Sequence, residues 1–263
     1  MRINSKGWQL PRYETVELFK KRTKYCICIP VLNEGEKIKK ELQRLLPYSK
    51  MADIIIADWG STDGSTNKDF LRKYNIRALL ILKEKGWQST QLRMVFSYAL
   101  KQGYEGIIQM DGNNKDGEEG ITRFIKAFDM GFDYIHGSRF IKGGNAVNTP
   151  LIRWLGIRLI FSPLLSLAAK FWFTDVTNGF RAYGRKYLLD DRVKPFRKLF
   201  NKYELLFYLP VRAGQIGMRM KEIPVTRKYP YNQKTPTKIV GIYGHGDLLI
   251  TAIKVALGTY NPS

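Results

Sequence analysis

Two hydrophobic patterns alternate along the chain. In the first, short runs are apolar at nearly every position: Tyr25–Ile29, Asp53–Ala57, Ile76–Leu82, Gly106–Met110 and Phe132–His136. Such runs predict strands buried on both faces. In the second, apolar residues recur every three or four positions, as in amphipathic helices. Ile38, Leu42, Leu45 and Leu46 do so until Pro47 stops them, Gln88–Gln102 reads as a helix, and Ile121, Phe124, Ile125 and Phe128 share one face of Glu118–Phe128. Pro30 is expected to end the first strand, because proline cannot donate to a ladder. Asn33, with Glu36 three residues on, resembles a capping box for the helix that follows. Another helix is expected to start near Ser65 and a late strand at Lys221–Val225. Tyr229–Lys238, rich in Pro, Lys and Thr, reads as a mobile loop, and Leu248–Leu257 as a short apolar helix.

Buried strands alternating with amphipathic helices imply an α/β fold, a mostly parallel sheet with helices on both faces. Ligands of such sheets sit outside the carboxyl ends of the strands. Three polar loops leave those ends: PVLNE after the first strand, DWGSTDGS after the second and MDGNNKD after the fourth. They predict a polar crevice holding Glu34, Asp58 and Asp111. After Ser138 the pattern changes. Leu151–Phe173 is apolar but interrupted by Arg153, Arg158, Pro163 and Lys170. That makes a poor membrane span. It suits an interfacial helix pair or a helix packed on the sheet.

Composition narrows this picture. The 263 residues are 44% hydrophobic and 25% charged, which suits one large globular domain or a domain with an appendage. Lys and Arg number 44 against 23 Asp and Glu, a net charge of +21 that points to an anionic partner. From Arg181 to Lys238 there are 15 basic and 4 acidic residues, whereas Glu105, Asp111, Asp116, Glu118 and Glu119 gather around the third loop. The bases follow no nucleic-acid module, so no nucleic-acid partner is expected. Cys26 and Cys28 lie on one face of a strand, too constrained for an ordinary disulfide, and read as buried thiols in a reducing compartment. His136 and His245 are far apart and read as structural. The polar, basic first 24 residues lack the apolar core of a secretory signal, so a cytoplasmic location is expected.

The loops carry the candidate chemistry. Gly60, Ser61 and Gly64 let backbone approach a ligand beside Asp58, although the same residues can form a simple Asx turn. Asp111 and Asn113, two apart at a strand end, offer hard oxygens to Mg²⁺ or Mn²⁺ beside a diphosphate. Lys115 argues for a different arrangement, in which an ammonium meets the phosphates directly. Arg139 and Arg181 each follow small polar residues and could fork onto phosphate or pair with an acid such as Asp175.

CICIPVLNEGEKI, IIIADWGSTDGS, IIQMDGNNKD, GSRFIKGG and TDVTNGFRAYGRKYL, in that order, resemble the inverting GT-A glycosyltransferases, and the dolichol and polyprenyl-phosphate mannose synthase branch in particular. The resemblance covers roughly residues 25–228. It implies a Rossmann-like GT-A domain there, with a nucleotide-binding half over about 25–137 and an acceptor half over about 138–228. A basic lead-in over 1–24 precedes it, and a C-terminal loop and apolar helix over 229–263 follow. By resemblance, Pro30, Glu34, Asp58, Asp111 and Asn113 bind the nucleotide sugar. Lys115, Arg139 and Arg181 hold phosphate of donor or acceptor, Asp111 and Asp175 are catalytic, and a divalent cation would sit on Asp111 and Asn113. The apolar stretch matches acceptor-side helices that rest on a membrane.

Departures bear on these roles. Leu32 stands where the family usually has tyrosine, and Trp59 replaces the second of two paired acids. Asn113 and Lys115 replace the later residues of the metal signature, which leaves cation and protein cations as alternatives. The implied reaction is one inverting displacement on a nucleoside-diphosphate sugar. A phosphorylated lipid acceptor, such as a polyprenyl phosphate, needs no strong base. A sugar hydroxyl in a surface glycan of capsule or lipopolysaccharide type needs a carboxylate, for which Asp175 is the candidate. An inactive nucleotide-binding relative is a third alternative. Attachment to the cytoplasmic membrane face would be peripheral.

Overall fold

The computed structural model describes residues 5–231 and 241–262, with side chains from residue 246 in the second stretch. The strands are β1 (Tyr13–Glu17), β2 (Tyr25–Val31), β3 (Asp53–Asp58), β4 (Ile76–Leu82), β5 (Gly106–Gln109), β6 (Tyr134–Ser138), β7 (Asn145–Val147), β8 (Arg181–Gly184), β9 (Met220–Pro224) and β10 (Thr226–Lys228). Eight form one sheet in the order β1-β4-β3-β2-β5-β8-β6-β9, and β7 pairs with β10 in a second. In the large sheet β1 runs antiparallel to β4, and β8 runs antiparallel to both its neighbours. The remaining pairs are parallel. The apolar-run pattern missed β1 and β8. The sheet-edge strand YETVE carries polar residues on both faces, and β8 is RAYG.

The two-residue period of the strands divides the core. Ile27, Ile29, Ile54 and Ile56 pack with helices α1 (Glu36–Leu45), α2 (Lys68–Lys73) and α4 (Gly120–Asp129) on one face. Cys26, Cys28, Ile55 and Ala57 pack on the other against α3 (Gln88–Lys101), α5 (Leu151–Ala169), α6 (Glu204–Gln215) and α7 (Gly241–Ala256). Both cysteines are free and buried, as their spacing predicted. Twelve consecutive residues of α3, Ser89 to Leu100, are buried, because the helix is wedged between the sheet and α6. Gly214 of α6 approaches α5 so closely that a Cβ would lie 1.9 Å from the Ala169 carbonyl oxygen.

Three local expectations are corrected. The first strand continues through Pro30 to Val31. The β5 ladder ends opposite Cys28, and Cys28 O accepts from Met110 N on that side. Pro30, two residues on, turns its nitrogen toward the same side beyond the end of β5, so no ladder bond is lost. Asn33 does not cap α1. It takes a left-handed φ of 49° and its Oδ1 accepts from Thr62 N. The second helix starts at Lys68, capped by Asn67, while Ser65 Oγ accepts from the Glu34 and Gly35 amides. The two loops therefore lace each other across the crevice instead of starting their own helices.

Of the two arrangements expected for Leu151–Phe173, a helix pair or a single packed helix, the structure has one continuous helix, Leu151–Ala169, with a π turn over Ile157–Phe161. It is the one helix among the described residues long and apolar enough to cross a membrane. Ile157, Leu165 and Ala169 pack inward, but Ile152 is 85% exposed and Leu167 84%, with Leu151 and Leu159 also outward. The expected loop over Tyr229–Lys238 lies outside the described residues from 232 onward, as does the side chain of His245.

Candidate active site

At the carboxyl ends of β2 and β5 the loops enclose a cleft of about 350 Å³. Pro30, Leu32, Glu34, Trp59, Asp111, Asn113, Lys115 and Arg139 line it, as do Trp87, Arg153, Tyr203, Arg227 and Tyr229. The crevice predicted from the three loops is therefore present, with Glu34 and Asp111 in it.

Asp111 is the centre of charge. Its Oδ2 accepts from Arg227 Nη2 at 2.8 Å and from Asn113 Nδ2 at 3.4 Å. The other guanidinium nitrogen, Arg227 Nη1, reaches both Asp116 oxygens at 2.6 and 2.7 Å. Burial pushes the Asp111 carboxyl up, but Arg227 and Lys115 together outweigh it and hold it below the ordinary carboxylate range. Burial, then the Arg227 charge, brings the Lys115 ammonium down to about 8. Gly179 makes room for Asp111, since a Cβ there would meet its Oδ1 at 2.8 Å.

Backbone pairing explains how Arg227 arrives. Gly117 N donates to Thr226 O, and Lys228 N donates to Lys115 O, so β10 is stitched along the acidic loop. Beneath that loop, the buried Glu41 of α1 accepts from Asn114 N, whose residue has φ 59°. Burial pushes the Glu41 carboxyl well up, against the hydrogen bond from Asn114 N that favours its charged form.

Several residues singled out from sequence stand elsewhere. Asp58 does not line the cleft. Its oxygens accept from Gly60 N, Ser61 N and Ser61 Oγ, the Asx turn that the loop sequence also allows. Trp59 takes the place beside the cleft and packs on Trp87, which in turn packs on Tyr203. Asp175 is not available as a base. Fully buried, it is gripped by Arg139 through Nε and Nη2, both at 2.6 Å, and by Arg139 N at 3.1 Å. Arg181 is not a phosphate ligand. It is fully buried and donates to the Asn178, Val176 and Leu206 carbonyls. His136 is structural: Nε2 lies 2.7 Å from Asp175 O and Nδ1 2.8 Å from the Tyr134 hydroxyl, and burial holds the ring neutral.

Arg181→Met is accordingly expected to lower stability by about 3 kcal/mol or more, since three buried carbonyls lose their donor. Turnover per folded molecule should change far less. Thermal melts beside rates normalised to folded protein check this, and unchanged stability with collapsed turnover would return Arg181 to the site.

Arg227 was not singled out from sequence, and Tyr229, expected to begin a mobile loop, is buried and held by backbone hydrogen bonds. Their signal is the phase of VTRKY. Val225, Arg227 and Tyr229 are buried, while Lys228 is exposed, so a strand's two-residue period puts an arginine in the apolar phase.

Cation binding can be tested against this geometry. Asn113 Oδ1 is buried and has no hydrogen-bond partner. Together with Asp111 it offers two hard oxygens, enough for a cation that takes its other ligands from a diphosphate and water. No group of three or more His, Cys, Asp or Glu suited to a metal exists among the described residues. The residues thus fit a cation bound jointly with a ligand and do not form a cage of their own.

Comparison with known proteins agrees with this architecture. Polyprenol monophosphomannose synthase of Mycolicibacterium smegmatis is 26% identical over 207 residues, 76% of each chain. Undecaprenyl-phosphate mannosyltransferase of Micrococcus luteus is 27% identical over 205 residues, 75% of this chain and 81% of that one. In fold, the chain is similar to glucosyl-3-phosphoglycerate synthase from Mycobacterium tuberculosis, solved with Mn²⁺, UDP and glucosyl-3-phosphoglycerate. The TM-score is 0.63 over 90% of this chain and 79% of that one, at 13% identity. The model of glycosyl transferase family 2 matches residues 26–191, more than half of the sequence and all three loops of the cleft. The chain therefore belongs to glycosyl transferase family 2: it is a glycosyltransferase of GT-A fold.

Proposed function

We propose that this protein moves a sugar, with inversion, from a nucleoside-diphosphate sugar to a polyprenyl phosphate at a membrane surface. One observation carries the reading. The cleft sets the Asp111 carboxylate beside the cationic side chains of Lys115, Arg139, Arg153 and Arg227, with Lys37 also at its wall, and Arg153 belongs to the helix with the exposed apolar face. The names of the relatives support the acceptor.

In this reading the nucleoside lies along Pro30, Glu34 and Trp59, and its diphosphate meets Lys115 and Arg227 beside Asp111. A divalent cation held by Asp111 and Asn113 would neutralise the departing diphosphate. Lys115 and Arg227 supply positive charge to the same group from the protein. The carboxylates lining the cleft are Glu34 and Asp111. Asp111 lies under two cations and is a poor base, whereas a phosphate acceptor arrives already ionised and needs none. That favours lipid phosphate over a sugar hydroxyl. Helix α5 lies flat in the lipid interface, apolar face down, with the chain's positive charge favouring anionic headgroups.

Incubating radiolabelled GDP- and UDP-sugars with undecaprenyl phosphate in detergent tests the reading. Label should enter the organic phase, with the opposite anomeric configuration by NMR. Label that stays water-soluble on a glycan acceptor would overturn it. The cation has its own measurement. Mn²⁺ alone should leave the melting temperature unchanged, whereas Mn²⁺ with a nucleoside diphosphate should exceed the diphosphate alone by about 2–4 °C, the effect of roughly tenfold tighter binding. Diphosphate binding that vanishes in EDTA would show that Lys115 and Arg227 do not suffice.

A further inference from the structure

Tyr229 stands at the meeting point of the cleft's cations and has no part in the scheme above. Its hydroxyl oxygen accepts from Arg139 Nη1 at 3.2 Å and from Arg153 Nη1 at 3.3 Å. Lys115 Nζ lies 5.2 Å from its ring centroid, and the guanidinium carbons of Arg153 and Arg227 lie 5.6 and 5.9 Å away. Four cations from four parts of the chain thus converge on one buried phenol.

The phenol is itself held in place. Tyr229 N donates to Val147 O, and Tyr229 O accepts from Asn148 Nδ2, which fixes the residue against the strand leading into α5. The cations differ in how they are anchored. Arg139 is gripped by Asp175, and Arg227 by Asp111 and Asp116. Arg153 has no described ion pair, and its described hydrogen bond ends on the Tyr229 oxygen. A phenol oxygen that accepts from two guanidiniums occupies the position of one oxygen of a phosphate clamped between them.

We infer that Tyr229 is a positioning residue for the acceptor: it holds Arg153 beside Arg139 as a two-pronged clamp, and the acceptor's phosphate takes both guanidiniums over from the phenol. This rests on the proposed phosphate acceptor. The two guanidiniums are thus aimed before the ligand arrives, and the phosphate finds a formed site. The idea also predicts a competition. Burial pushes the phenol up, but Arg227, Arg139, Arg153 and Lys115 outweigh it and bring it down to about 8. Above that pH the phenolate is itself the anion in the clamp. The charged groups facing it are those four cations, with Asp111, Asp116 and Asp175 behind them. Lys115 titrates in the same range, so the comparison must cancel its effect.

Calorimetric binding of farnesyl phosphate, farnesol and GDP or UDP to wild type, Tyr229→Phe and Arg153→Gln tests the inference. At pH 7 Tyr229→Phe should weaken farnesyl phosphate about tenfold, which corresponds to about 1.4 kcal/mol. Farnesol and nucleotide binding should stay as in wild type. The ratio of variant to wild-type Kd should fall toward one at pH 9, because only wild type forms the phenolate, and the same ratio in a Lys115→Met background removes the Lys115 titration, which the Tyr229 charge itself shifts. Adding Tyr229→Phe to Arg153→Gln should cost little more than Arg153→Gln alone. Unchanged farnesyl phosphate affinity in Tyr229→Phe would overturn the clamp, as would an equal loss for the nucleotide, which marks a general packing role. Wild type that binds nucleotide but no farnesyl phosphate would instead remove the acceptor reading, and the clamp with it.

Discussion

Asp111→Asn is expected to slow sugar transfer by about 10²–10³-fold while the protein stays folded. The substitution keeps the side chain's size, and the new amide oxygen can still accept from Arg227. It removes the carboxylate charge that Arg227 and Lys115 hold low. Two functions would fall together: a cation on Asp111 and Asn113 would lose its only charged protein ligand, and the cationic groups lose the counter-charge that sets their spacing. Rates with saturating donor and undecaprenyl phosphate, read beside a thermal melt, measure the effect. A variant with near wild-type turnover would remove Asp111 from the chemistry. A variant that melts many degrees lower would show that the loss is structural.

Arg227→Met should be the costliest single change to stability, at about 3–5 kcal/mol. The guanidinium serves two buried acids, and its removal leaves Asp111 and Asp116 facing each other without it. The sign of the pH dependence follows. In wild type the Asp111 carboxyl is held low, so its stabilising contribution is present above the unfolded value near 3.8 and is lost as pH falls through the folded value. Without Arg227, burial drives both carboxyls upward, and the variant loses stability as pH rises above that same value. The gap in melting temperature should therefore be widest at neutral pH and narrow below about pH 4. Arg227→Lys should recover only part of the loss, because an ammonium cannot fork onto two acids. A gap that does not change with pH would mean that Arg227 acts through packing alone.

The sequence was most legible where one local rule sufficed. Five apolar runs became five central strands, and their exits formed the cleft, because a parallel sheet buries both faces and leaves its loops at one edge. It was least legible where a side chain's partner lies far along the chain. An arginine after small polar residues reads the same whether it lines the cleft, like Arg139, or closes three backbone carbonyls, like Arg181. Asp175 carried the mark of a catalytic acid, yet its fate was decided by Arg139, 36 residues earlier. Asp58 was ambiguous from the start, since the glycine and serine that admit a ligand also complete an Asx turn. β8 stayed hidden because RAYG is short and carries an arginine, and only its fit between β5 and β6 makes it a strand.

The stitching of β10 along the acidic loop also has a consequence in time. Arg227 meets Asp116 and Asp111 across separations of 111 and 116 residues. Contacts that distant in sequence are among the last to form, since the long loop between them must close first. A chain emerging from the ribosome can build β2 to β5 and both nucleotide-side loops before Arg227 exists. In that interval Asp111 and Asp116 stay solvated on an open loop, and the cleft is a late product of folding. Activity should therefore appear in a refolding reaction only after the bulk of the sheet has formed.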